Sequence, residues 1–254
     1  MMRVRKLIIL LAWALTGLTA QAQPTTDEQL AAHYFQAGEF DKAMLYYEKL
    51  YNKKPGDFYY GYYLKCLMQL EDYKGAEKLI KKQINRAGEK GKYRVDLGLV
   101  YNSSGRKEKA QQQYQRAIRE MQPNQSAITG LSRSFMAVGE FDFALETLQR
   151  GRKLMRGYYP FNVEIAGVYA AMGDYKSMID EYLDLLNINE NYLQSVQNAL
   201  NRYLSFEKKS EQNDLLKAQL LRRIQRNPGR SVFSEMLIWI YVQQKDFEHA
   251  FVQA

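Results

Sequence analysis

From residue 30 onward apolar side chains recur at three- and four-residue spacing, the period of a helix buried on one face. One set runs Leu30, Tyr34, Phe35; Leu97, Val100, Tyr101; Leu131, Phe135; and Ile165, Val168, Tyr169. A second set runs Ala43, Tyr47, Leu50; Ala110, Tyr114, Ala117; and Met178, Tyr182, Leu185. Between the sets lies a short phrase of glycine, acid and aromatic: Gly38-Glu39-Phe40, Gly139-Glu140-Phe141 and Gly173-Asp174-Tyr175. Weaker copies are Glu71-Asp72-Tyr73, Gly105-Arg106-Lys107 and Lys245-Asp246-Phe247. The residues three places after the aromatic position, Ala43, Ala76, Ala110, Ala144 and Met178, are separated by 33, 34, 34 and 34 residues. From Met178 to Ala250 is 72 residues, room for one degenerate unit between them. Each period predicts two helices joined by a tight turn. Glycine suits a helix end that needs a left-handed residue, an acid favours the positive start of the next helix, and alanine lets the two backbones approach.

These units resemble tetratricopeptide repeats. The small, large and aromatic positions of the first helix are filled by Leu30, Ala31 and Tyr34, and by Leu97, Gly98 and Tyr101. The alanine–aromatic–alanine set of the second helix appears as Ala110, Tyr114 and Ala117, and the closing proline as Pro55, with Pro123 one place late. No unit has the family's early Trp, and the second unit carries Glu71 where the turn glycine stands elsewhere. The resemblance implies an all-α, right-handed superhelical solenoid of antiparallel helix pairs spanning residues 23–254. Its units are expected at about 24–56, 57–90, 91–124, 125–158 and 159–190, then a degenerate 191–230 with a charged turn at Ser205–Glu211, and an incomplete 231–254. Because the last unit's second helix would have only about seven residues, the natural protein is expected to continue. Leu237, Ile238, Ile240, Tyr241 and Phe251 are then expected to be partly uncovered in the present chain.

The N-terminus changes the picture of where the chain works. Residues 1–22 run from basic MMRVRK through an apolar stretch of 12 to Ala20-Gln21-Ala22, the three parts of a cleavable signal peptide. Twelve helical residues reach roughly 18 Å, short of the ~30 Å hydrocarbon core. The mature chain is expected to begin at Gln23, in the periplasm or on the periplasmic side of the outer membrane of a Gram-negative bacterium. Cys66 is the single cysteine, which excludes an intramolecular disulfide, leaves none after the signal for acylation, and reads as a small core residue. Glycine (16) and proline (5) are too few for a turn-rich β fold. The net charge of +8 becomes +5 without Arg3, Arg5 and Lys6, and the basic stretch Lys217, Arg222, Arg223, Arg226, Arg230 reads as a solvated helix face rather than a nucleic-acid or membrane site.

Candidate chemistry is sparse. His33 and His249 lie far apart, no HExxH or GxSxG motif occurs, and Gly88-Glu89-Lys90-Gly91-Lys92 lacks the spacing and the Ser/Thr of a phosphate loop, so it reads as a linker. No catalysis, cofactor or metal is expected. What remains is a surface. By the resemblance, the first helices line a concave groove for a protein or peptide partner, at Gln36, Phe58, Tyr62, Lys65, Gln69, Asn102, Arg133 and Met136. Glu28, Ala32, Phe35, Met68, Lys92 and Ser103 occupy further groove places. Glu28 and Ala32 stand where a carboxylate-clamp repeat needs Lys and Asn, which argues against a chaperone-tail ligand. Five aromatics among Phe58–Tyr63 cannot all point inward, so this segment offers either packing between repeats or an aromatic platform. The functional expectation is a non-catalytic interaction scaffold of the cell envelope. The alternatives are a glycan-binding envelope module using residues 58–63, or the interaction half of a longer enzyme or signalling protein.

Overall fold

The computed structural model describes residues 26–88, 90–206 and 210–254; the expected signal peptide, residues 1–22, lies outside them. Among the described residues there are fourteen α-helices and no strand. The contacts divide the chain at residues 88/89 into two compact units. The first holds α1 (Thr26–Gln36), α2 (Phe40–Lys53), α3 (Asp57–Gln69) and α4 (Tyr73–Ala87). The second holds α5 (Gly91–Ser103), α6 (Lys107–Arg119), α7 (Gln125–Ala137), α8 (Phe141–Leu154), α9 (Asn162–Met172), α10 (Tyr175–Ile188), α11 (Leu193–Tyr203), α12 (Glu211–Arg226), α13 (Ser231–Gln243) and α14 (Phe247–Gln253). A 3₁₀ turn, Glu190–Tyr192, leads into α11. No described helix is long and apolar enough to cross a membrane.

The helices form antiparallel pairs because the turn phrase is a helix stop. Gly38, Gly105, Gly139 and Gly173 all sit at φ between 75° and 78°, the left-handed region where a Cβ is penalised. At each, the following amide donates to a carbonyl five residues back: Glu39 to Tyr34, Arg106 to Tyr101, Glu140 to Phe135 and Asp174 to Tyr169. Glu71 (φ 55°) and Lys245 (φ 57°) hold the same position without being glycine. Their neighbours Asp72 and Asp246 make the matching bonds to Leu67 and Tyr241. After the stop, Asp72, Asp174 and Asp246 also cap the next helix, their carboxylates accepting from the amides of Gly75, Ser177 and His249.

In the first unit, Ala31, Ala43, Tyr47, Leu50 and Cys66 form one buried cluster, with Tyr34, Phe35, Phe40 and Tyr62 packed around it, and Tyr51, Tyr60, Leu67, Leu79 and Ile80 are buried as well. Cys66 is fully buried, as its apolar neighbours suggest, and burial pushes its thiol up to about 11. In the second unit α5 packs on α6, α7 on α8, α9 on α10 and α13 on α14, while α5 also meets α7, α6 meets α8, and α10 meets α12. Gly98 shows why small residues recur: a Cβ there would run into the ring of buried Tyr114 on α6.

Two expectations need correction. The segment read as a linker through Lys92 is shorter, because α5 begins at Gly91. At the end of the chain, Leu237 and Ile240 are fully buried with Val232 and Phe233, because α13 packs on α11 and α12. Ile238 and Tyr241 are partly uncovered, as expected, and Phe251 on α14 is 83% exposed. The degenerate stretch still forms two helices, α11 and α12, with Ser210 capping α12 at the Asn213 amide.

Candidate functional site

Phe58, Tyr62, Lys65 and Gln69 lie four, three and four residues apart, so α3 carries them along one stripe. Behind the stripe the aromatics are committed to packing. Tyr62 stacks on Tyr47 with ring centres 4.9 Å apart and meets the ring of Phe35 edge-on at 5.1 Å. Tyr60 is 2% exposed, and Tyr63 packs near Tyr51 at 6.3 Å. The Tyr59 hydroxyl donates to the Glu28 carboxylate, which together with burial pushes the phenol up to about 12. Phe58 is left 66% exposed, resting on Tyr59 and Tyr62 at 5.3 and 5.1 Å. The Lys65 ammonium sits 5.4 Å over the Tyr62 ring, while Gln69 and Gln36 are exposed. The first unit therefore presents one open ring, one cation and two amides on a rigid aromatic base.

In the second unit, Asn102 is exposed on α5 and donates from Nδ2 to Glu140 Oε1 at 3.4 Å. Arg133 is exposed on α7, and Met136, one turn on, is half-buried. Lys92 lies further up α5, its ammonium 5.1 Å from the Tyr93 ring centre.

Sequence reasoning missed a cavity of about 490 Å³ between the start of α5, the end of α6 and α7. Gly91, Ala117, Ala127 and Gly130 leave the space, and Leu131 and Met121 make its walls apolar. At its edge Arg94, only 4% exposed, donates to Gln113 Oε1 at 3.1 Å and pairs with Glu120 at 3.2 Å. Arg116 and then Arg94 hold the Glu120 carboxyl below its usual value. The available signal was the clustering of Gly and Ala at positions where earlier units carry larger residues.

No group of three or more His, Cys, Asp or Glu among the described residues is placed to hold a metal ion.

Residues 91–120, the pair α5–α6, match the family model described as Tetratricopeptide repeat. That match supports the tetratricopeptide repeat assignment. No curated protein matches the chain in sequence. Among solved structures, a thermophilic TPR protein from Thermus thermophilus is 15% identical, with a TM-score of 0.36 over 71% of this chain and 98% of that one. The MamA protein is 20% identical, with a TM-score of 0.34 over 67% of this chain and 94% of that one. The C-terminal part of a TPR repeat-containing protein from Cytophaga hutchinsonii is also 20% identical, with a TM-score of 0.33 over 89% and 90%. The turn hydrogen bonds of the matched unit recur in the other helix pairs.

Proposed function

We propose that this chain is a non-catalytic scaffold of the bacterial cell envelope that holds a protein or peptide partner on its first helices. The observation that carries the reading is the α3 stripe. Phe58 and Lys65 stay open to solvent there, while the neighbouring tyrosines are consumed in packing. An exposed aromatic held by a rigid base, flanked by a cation and amides, has the makeup of an interface hot spot. A glycan platform would need several open ring faces, and Tyr62 already lies against Tyr47 with a lysine over it. The envelope location rests on the basic, apolar and small-residue pattern of residues 1–22. The partner would be met in the periplasm or at the periplasmic side of the outer membrane.

The test is crosslinking in cells followed by mass spectrometry of the recovered protein. The recovered chain is expected to begin at Gln23. Replacing Lys65 and Arg133 together by Ala should lower partner recovery with little change in stability, since exposed charges are typically worth under ~0.5 kcal/mol. Met1 retained on envelope-recovered protein would refute export. Equal partner recovery by the double variant would remove these first-helix residues from the interface.

A further inference from the structure

Of the five cations in the basic stretch near the end of the chain, three are tied down. Arg223 donates to Asp184 at 2.7 Å and to Asp180 at 3.1 Å, and Lys217 pairs with Asp214 at 3.0 Å. Arg230 reaches the Asn187 carbonyl at 2.7 Å and Glu190 at 3.1 Å. Arg222 and Arg226 are exposed and have no ion-pair partner among the described residues. Both line a cleft of about 280 Å³ between α10 and α12, together with Asp180, Asp184, Gln219 and Arg223. Gln219 forms the inner wall at 4% exposure. Its Nε2 donates to the Lys176 carbonyl at 3.2 Å, which fixes the amide, and its Oε1 is buried with no hydrogen-bond donor. A buried acceptor left unpaired is costly, so it marks a place where a donor is wanted.

We infer that this cleft is a second docking site, which takes an extended acidic peptide segment between the two helices α10 and α12. Arg222 and Arg226 are one helical turn apart, which puts their Cβ atoms about 6 Å from each other. Alternate residues of an extended strand repeat at about 6.6 Å, so two carboxylates on one side of such a segment meet the two guanidinium groups. A backbone N–H of the same segment supplies the donor for Gln219. A nucleic acid fits less well. Its phosphodiesters carry no donor for the buried Oε1, whereas every peptide unit carries one. The site does not depend on the first-helix reading, because it shares no residue with it.

The test is fluorescence polarisation of the purified protein with a labelled octapeptide of alternating glutamate and serine. An oligothymidylate of equal length runs in parallel. The peptide is expected to bind and to weaken as salt rises. Replacing both arginines (R222Q with R226Q) should cost at least about fivefold in affinity, since both are exposed and the loss is one of charge pairing. Asp184→Asn should tighten binding two- to threefold by removing a cleft carboxylate and releasing Arg223. The variant carrying Ala at Lys65 and Arg133 should bind the octapeptide as the parent does, which separates this site from the first-helix surface. Peptide affinity unchanged in the double arginine variant, or an oligothymidylate bound more tightly with the same arginine dependence, would overturn the proposal. A drop in affinity with Asp184→Asn would do the same.

Discussion

Glu71 and Lys245 show what a single residue decides at the turns. Both occupy the left-handed slot that Gly38, Gly105, Gly139 and Gly173 fill elsewhere, and both keep the same backbone hydrogen bonds. The backbone geometry is therefore imposed by the packed helix pair, and the Cβ is strained within it. Replacing Glu71 by Gly relieves that strain, against the larger entropy glycine has in the unfolded chain. We expect a net gain of about 0.5–1 kcal/mol for Glu71→Gly in urea unfolding, and the same sign for Lys245→Gly. A loss of stability would mean that the Glu71 side chain contributes more than its exposure suggests. Gly98 makes the opposite point: its value lies in the missing Cβ, which leaves room for the Tyr114 ring.

At the scale of elements, the link between α8 and α9 makes two left-handed bends, at Gly157 (φ 85°) and at Phe161. The chain runs from Met155 through Pro160 to Phe161, which is fully buried at φ 56°. Arg152 closes this link. Its Nε donates to the Pro160 carbonyl at 2.6 Å, and its two Nη atoms grip Glu181 on α10 at 2.6 and 3.3 Å. Asn162 joins from the start of α9, donating to Glu181 Oε2 at 2.7 Å and to its backbone carbonyl at 3.1 Å. Charge-assisted, forked bonds of this kind are worth more than neutral ones. Arg152→Ala is expected to destabilise the second unit by about 2 kcal/mol, by loss of bonds to charged groups. Hydrogen exchange should locate the loosening at residues 155–165, and protection unchanged there would show that packing of Phe161 alone closes the link.

Across the whole molecule the buried tyrosines tie stability to pH. Burial pushes Tyr47 in the first unit and Tyr159 and Tyr182 in the second up to about 12. Burial also raises Tyr51, Tyr63 and Tyr114. These folded values lie above the ordinary value of 10, so the neutral phenols belong to the folded chain. Their contribution is complete below pH 10 and is lost as the pH climbs through about 12, because the unfolded chain then ionises first. Titrating tyrosinate absorbance alongside helical circular dichroism should therefore resolve two groups among the 20 tyrosines. Exposed phenols ionise with helices intact, while the buried ones ionise only as helix is lost. A single absorbance transition near pH 10 with helices preserved would contradict this.

The periodicity along the chain was enough to determine the all-α class, the pairing of helices and the position of nearly every turn. A stop that needs a left-handed residue and a helix start that wants an acid are local demands, written into a few adjacent residues such as Gly173-Asp174-Tyr175. That residues 58, 62, 65 and 69 share a side of α3 also followed from spacing, but that Phe58 and Lys65 are open while Tyr62 is packed did not. What packing alone decided depends on residues distant in sequence. Tyr62 is held by Tyr47 and Phe35, Arg152 reaches Glu181, and Arg223 is drawn to Asp180 and Asp184 while Arg222 and Arg226 are left open. Helical spacing says which face a side chain takes but not which neighbour meets it, and the free or paired state of a charge is set by that neighbour.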